Sequence, residues 1–159
     1  MGEPHVVTLR PTRAADLDAL FRFHHDETAV HQAAFAPGDD DRPAFDARWA
    51  ERLADPELTT RTVRADGRIV GDVEVRREHG VAVLDSWIDP DHWGLGIATR
   101  ALRLLLDGLP ERPVRARVAA DNRGSRAVLA KLGFAEVARE LVYAPARGGE
   151  TERLVYELD

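Results

Sequence analysis

The sequence contains no cysteine. This excludes disulfides, thiolate metal sites and a cysteine nucleophile, and it fits a reducing cytoplasm. No run of eighteen apolar residues occurs, so neither a membrane span nor a membrane partner is expected. The opening Met1-Gly2-Glu3-Pro4-His5 has no basic stretch ahead of an apolar core, so no secretory signal is read there. Positive charge is not in excess. The formal net charge of −6 speaks against nucleic acid as a partner, because phosphate binding needs a basic surface. Lysine is nearly absent while arginine and alanine abound, and we attach no function to that bias. Internal repeats and low-complexity tracts are also missing. What remains is 159 residues, 44% of them hydrophobic, which suits one domain spanning 1–159 around one core.

Thr8-Leu9-Arg10 reads as a short strand. Pro11-Thr12 then opens a helix that Thr12 can cap, with Leu17, Leu20, Phe21 and His24 on one face. A loop over 35–42 contains Pro37, Gly38 and the acidic run Asp39-Asp40-Asp41, expected to be solvated. Asp41 can cap a second helix with Pro43 in its first turn, a buried stripe of Phe45, Trp49 and Leu53, and a stop at Asp55-Pro56. The period then changes. Strands are expected over 61–65 and 69–76 around an Asp66-Gly67 turn, and over 81–89 after Glu78-His79-Gly80. The third strand alternates poorly, so both its faces should be covered. Helical spacing returns over 96–109, followed by a strand over 113–119 and a helix over 123–132 closed by Gly133. Strands near 136–143 and 152–158 finish the chain, joined by Gly148-Gly149. The fold class is therefore mixed α/β or α+β. The strands 81–89 and 113–119 are joined by a helical crossover and should run parallel. A ligand is expected outside their carboxyl ends.

The most informative stretch joins that strand to that helix: Ile88-Asp89-Pro90-Asp91-His92-Trp93-Gly94-Leu95-Gly96-Ile97-Ala98-Thr99. Gly94, Gly96 and Ala98 leave no bulk over the backbone. Several N–H groups can then converge on an anion, helped by the helix dipole. Plain turn chemistry explains the glycines equally well. A nucleotide P-loop is excluded because Gly96 is followed by Ile97-Ala98 rather than Lys-Ser/Thr. The dinucleotide fingerprint fails because its third glycine place holds Thr99.

The whole chain resembles the GNAT superfamily of acetyl-CoA-dependent N-acetyltransferases. The family signature Q/R-x-x-G-x-G/A falls on Trp93 to Ala98, with Trp93 in the Gln/Arg place. Trp-Gly-x-Gly-x-Ala-Thr is similar to the branch containing the ribosomal-protein N-terminal acetyltransferases. So are Leu9-Arg10-Pro11, the helix from Asp16 to His25 followed by Asp26-Glu27, Asp66 to Gly71, Asn122-Arg123-Gly124-Ser125 and Lys131-Leu132-Gly133-Phe134. The resemblance implies the GNAT fold, a mostly antiparallel sheet with one parallel pair splayed at the cofactor site. It implies acetyl-CoA as cosubstrate, bound by Ile88, Trp93, Gly94, Leu95, Gly96, Ile97, Ala98, Thr99, Asn122 and Ser125, and an acceptor that is a peptide N-terminus or a small amine. Dimers are frequent in the family, so a homodimer is allowed.

The resemblance also implies direct attack of the amine on the thioester, without an acyl-enzyme. The backbone N–H of Ile88, or one beside it, would face the thioester oxygen, although Ile88 also suits a plain core position. Asn122 would touch the cofactor arm as well as cap a helix. The family's frequent thiolate-protonating tyrosine is replaced by Leu129. Ser125 matches the serine assigned that task in the ribosomal-protein branch, against the alternative that it satisfies its own helix backbone. Tyr143 is a second donor. No general base stands out, and Asp85, Ser86, His79 and Glu140 are candidates. A free α-amine with pKa ~8 is ~10% neutral near pH 7, and a lysine at ~10.4 only ~0.04%, so a weak base favours an α-amine. His24, His25 and His31 do not form a metal set, because adjacent histidines point apart and no carboxylate or cysteine completes a site. His24 is expected half-buried, and His25 on the surface or at the acceptor groove. Trp49 and Trp87 are expected in the core, with Trp87 alternatively walling the acceptor site. Two rivals stay open: a non-catalytic acyl-CoA-binding module, and an antibiotic or polyamine acetyltransferase.

Overall fold

The computed structural model describes residues 5–36 and 38–159. Residues 1–4, where no secretory signal was read, and Pro37 of the predicted loop lie outside the described residues. Seven strands form one sheet: β1 (Val7–Pro11), β2 (Leu58–Ala65), β3 (Arg68–Glu78), β4 (Val81–Ile88), β5 (Val114–Ala119), β6 (Ala135–Ala144) and β7 (Gly149–Leu158). Their order is β1-β2-β3-β4-β5-β7-β6. Every neighbouring pair is antiparallel except β4 and β5, which run parallel. The helices are α1 (Leu17–His24), α2 (Glu27–Ala33), α3 (Arg42–Ala54), α4 (Ile97–Asp107) and α5 (Arg123–Lys131). The mixed α/β class and the parallel crossover are thus as expected.

Each face of the sheet buries its own helices. On one face, Ile97, Ala101, Leu102 and Leu106 of α4 and Leu129 of α5 pack on Val73, Val75, Leu84, Ile88 and Val114. On the other, Leu17, Leu20 and Phe23 of α1 meet Phe45 and Trp49 of α3, with Ile69 and Trp87 against them. Period two sends alternate residues to opposite faces. Val73 and Val75 therefore place Asp72 and Glu74 on the α1–α3 side, and Leu84 and Ile88 place Asp85 and Trp87 there.

Local signals account for several boundaries. The Asp41 carboxylate accepts the Ala44 N–H at 2.9 Å, and Pro43 sits in the first turn of α3. The Asn122 side chain accepts the Ser125 N–H at 3.1 Å and starts α5. Gly133, at φ +93°, ends that helix, and the Phe134 N–H returns to the Leu129 carbonyl.

Other expectations are corrected. Thr12 does not cap a helix. Its hydroxyl lies 3.1 Å from that of Thr62, and α1 begins only at Leu17, after a short 3-10 turn. Two arginine N–H groups of Arg10 donate to the two oxygens of buried Asp16, each at 2.7 Å, so the Leu9-Arg10-Pro11 motif is a structural clamp. Three helices, not two, precede the first hairpin. The extra one, α2, is capped by Asp26, which accepts the Ala29 N–H. Leu53 is exposed rather than part of the α3 stripe. Asp40 is not simply solvated: it holds His25 at 2.8 Å and Arg48 at 3.2 Å, and His25 is thereby packed into the protein. Gly149 already belongs to β7, so the last turn is Pro145–Arg147 followed by Gly148 at φ +66°.

Candidate functional site

The parallel pairing of β4 and β5 is short. It runs from Ala82 opposite Val114 to Leu84 opposite Ala116 and then stops, although β4 continues to Ile88 and β5 to Ala119. Beyond Leu84 and Ala116 the strands separate. A cavity of about 410 Å³ occupies the gap. It is lined from the α4–α5 face by Leu84, Ile97, Leu102 and Leu129, and from the other face by Asp85, Trp87 and α2 residues Ala29, Gln32 and Ala33. The gap therefore holds one cavity that reaches both faces of the sheet.

The backbone at this gap has a defined polarity. The Asp89 N–H donates to the Val70 carbonyl at 2.8 Å, so the odd residues of β4 direct their N–H groups toward β3. The even residues, Ser86 and Ile88, direct theirs into the gap. The Ser86 N–H is taken by the Asp85 carboxylate at 2.8 Å. The Ile88 N–H is left facing the cavity.

The strand-to-helix loop closes the cavity's far end. After Ile88 comes a 3-10 turn, Pro90–His92, capped by Asp89. Gly94 and Gly96 follow at φ +77° and +76°, and a Cβ on either would meet nothing within 4 Å. Both line the cavity, so the space a side chain would fill is available to a ligand. The first intrahelical bond of α4 is from the Arg100 N–H to the Gly96 carbonyl. The N–H groups of Ile97, Ala98 and Thr99 therefore have no acceptor within the helix and form an anion-binding end. The Ile97 side chain is itself buried in the core. The Trp93 indole N–H donates to the Ile88 carbonyl at 2.8 Å and ties the loop to the strand end.

Among the residues expected at the site, Ile88, Trp93, Gly94, Gly96, Ile97, Ala98, Thr99, Asn122 and Ser125 line this cavity. Leu95 does not; it is exposed. The Asn122 amide also donates to the Gln32 carbonyl at 3.4 Å, linking the α5 cap to α2. The Ser125 hydroxyl makes no hydrogen bond to the described residues, and its N–H rather than its hydroxyl serves the cap. Glu140 and Tyr143 are not brought to the cavity. They lie on β6, Tyr143 61% exposed and Glu140 bonded to Arg153 at 2.9 Å. His79 sits in the β3–β4 turn at φ +51°, away from the lining.

Asp85 lines the cavity and its side chain is exposed there. The protein crowding around the cavity, then the negative charge of Glu74 directly opposite on β3, pushes its carboxyl up to about 7. The Ser86 N–H works against that rise. Trp87 also lines the cavity. Its indole N–H donates to the Phe23 carbonyl at 2.8 Å and its ring stacks on His24 at 4.5 Å. Trp87 is thus both a core residue and a cavity wall. His24 is half-buried, as expected, and held by Asp72 at 2.6 Å. Lys131, the chain's one lysine, lies at the rim. Among the described residues, no three His, Cys, Asp or Glu side chains gather as a metal-holding group, and no helix is long and apolar enough to cross a membrane.

The model of the acetyltransferase (GNAT) domain family matches residues 7–135. No curated protein sequence matches the chain. Among solved structures, RimJ of Mycobacterium smegmatis in complex with CoA-disulfide is similar at 26% identity and a TM-score of 0.80. That match covers 96% of this chain and 81% of the other. Spermidine N-acetyltransferase from Vibrio cholerae, in complex with CoA and spermine, matches at 18% identity and 0.85, covering 96% and 94%. A ribosomal-protein-alanine N-acetyltransferase from Brucella melitensis matches at 22% and 0.78, covering 95% and 98%. The last two likenesses establish the fold alone.

Proposed function

The chain belongs to the GNAT acetyltransferase family, and on that premise we propose that it moves the acetyl group of acetyl-CoA onto a primary amine within one ternary complex. The acceptor is the α-amine of a peptide or protein, or a small amine. One observation carries this reading: a single cavity crosses the sheet at the β4–β5 gap and is lined from both faces. Two substrates can enter from opposite sides and meet without an acyl-enzyme, so the site's main contribution is to hold them in line.

Acetyl-CoA, as cosubstrate, supplies an acetyl group already activated as a thioester. The residues around the gap supply the rest. Gly94 and Gly96 leave room for the pyrophosphate, and the free N–H groups of Ile97, Ala98 and Thr99 at the α4 dipole bind it. Asn122 holds the α5 end against the cofactor arm. The Ile88 N–H donates to the thioester oxygen as negative charge builds there. Ser125, with its hydroxyl free, donates to the departing sulfur. Leu129 leaves no tyrosine to compete for that task, and Tyr143 and Glu140 have no part in it.

We read residues 1–159 as one such domain acting in the cytoplasm, which the absence of cysteine suits. Thiol release from acetyl-CoA across peptides, polyamines and aminoglycosides tests the proposal. It also separates peptide from small-molecule acceptors. Saturable cofactor binding with no release for any amine would leave a non-catalytic acyl-CoA-binding module in its place.

A further inference from the structure

Three carboxylates share one patch of the α1–α3 face. Glu74 stands directly across from Asp85, and Asp72 lies one pleat along, across from Trp87. Their partners differ. Glu74 is held by Arg52 of α3 at 3.1 Å, with both side chains largely buried. Asp72 is held by His24 of α1 at 2.6 Å. Asp85 has no cationic partner among the described residues and accepts only the Ser86 N–H. It is also the one carboxylate of the three that lines the cavity. Arg52 is near enough for its charge to act on Asp85, but it is bonded to Glu74. On β5, Arg117 lines the cavity but donates to Glu78. The α2 lining is Ala29, Gln32 and Ala33, which carries no charge, and Lys131 lies on the α5 side of the cavity.

We propose that Asp85 takes the proton from the incoming ammonium, and that Glu74, pinned by Arg52, is a positioning residue that keeps Asp85 a usable base. This rests on the transfer reaction proposed above. The proton balance is complete. One ammonium proton passes to Asp85 and frees the nitrogen lone pair. That pair forms the N–C bond, the C–S bond breaks, and the sulfur leaves with its electron pair. The second nitrogen proton is lost to the thiolate through Ser125, giving amide and thiol. Asp85 then releases its proton to water.

The pairing also names a substrate class. For any one base, an α-ammonium of pKa ~8 gives up its proton more than a hundredfold more readily than a lysine ammonium at ~10.4. A lone carboxylate as the base therefore favours a peptide α-amine over a lysine side chain.

The test combines two readouts. The first needs no substrate: the side-chain carboxyl resonance of Asp85 is titrated by carbon NMR in the free protein. The wild type should titrate near 7. Glu74→Gln should move the midpoint toward the ordinary carboxylate range, and Glu74→Asp should restore it. The second is the pH dependence of kcat/KM with a peptide α-amine. Its acid limb should follow the same midpoint and shift down in Glu74→Gln. Asp85→Asn should cost about 10²–10⁴-fold at pH 7 and regain much of that above pH 9, where free amine is abundant. An Asp85 midpoint near 4, a midpoint or limb unmoved by Glu74→Gln, or a full rate for Asp85→Asn at pH 7 would each overturn the inference. Should Asp85→Asn not fold, the wild-type and Glu74 titrations still decide. A wild type that acetylates no amine would sink the transfer reaction, not the titration result, so the two failures are distinguishable.

Discussion

The indole N–H of Trp93 reaches the carbonyl of Ile88 at 2.8 Å. That bond joins the strand end, whose N–H faces the gap, to the glycine loop that lines it. Trp93, which departs from the family signature, thus lines the cavity and also ties the loop to the strand. Trp93→Phe keeps the ring and removes the donor. It should weaken acetyl-CoA binding about fivefold, the loss of one hydrogen bond of about 1 kcal/mol, measured by calorimetry. Unchanged affinity would show that the loop holds its shape without the tie.

Gly96→Val places a branched residue at φ +76° with its Cβ in the cavity. Acetyl-CoA affinity should fall at least tenfold. The backbone strain alone costs about 1–3 kcal/mol of stability. Gly80→Val, at φ +79° in a turn away from the cavity, carries the same strain and should leave affinity intact. Equal affinities in the two variants would mean that the loop does not hold the cofactor.

Ser125→Ala removes a hydroxyl with no partner among the described residues and leaves the N–H that Asn122 caps. Turnover should fall tenfold or more, while the Kd for acetyl-CoA stays within about threefold. An unaltered rate in a steady-state thiol assay would reduce Ser125 to a residue of the first helical turn.

Asp16 shapes the acid limb of stability. Burial would raise its carboxyl, but bonds from Arg10, the Arg13 N–H and Thr62 outweigh that and hold it at about 2. A carboxyl below its unfolded value stabilises the protein above about pH 4, and that gain is lost as pH falls through 2. Asp16→Asn should therefore lower Tm clearly at pH 7, by about 2 kcal/mol in stability, and much less at pH 2. A loss independent of pH would mean that packing, not charge, is at stake.

Much of this was legible in the chain because its signals are local. The Asp66-Gly67 turn, the caps at Asp41 and Asn122, and Gly133 each act within a few residues. Where partners are distant, the sequence misleads. Thr12 looked like a cap but meets Thr62, fifty residues on. The seven residues of α2 bury only Ala29, so no periodic face announced a helix that nonetheless lines the cavity. Tyr143 and Glu140 had the right chemistry for the site, but β6 is the sheet's outer strand. Asp85 was one candidate base among four. What singles it out is register: Glu74 falls opposite it, and Arg52 and His24 occupy the neighbouring carboxylates while leaving it free.

The proposed reaction is acetyl transfer to an amine at the β4–β5 gap. Its most direct test gives the protein acetyl-CoA and two peptides of one sequence containing an internal lysine, one with a free N-terminus and one blocked. Thiol release is followed alongside mass spectrometry of the product. Release is expected with the free peptide, with one acetyl group on its N-terminus and little reaction of the blocked one. Acetylation of the internal lysine alone would contradict the α-amine preference, and saturable acetyl-CoA binding with no acetylated product from any amine would contradict acetyl transfer altogether.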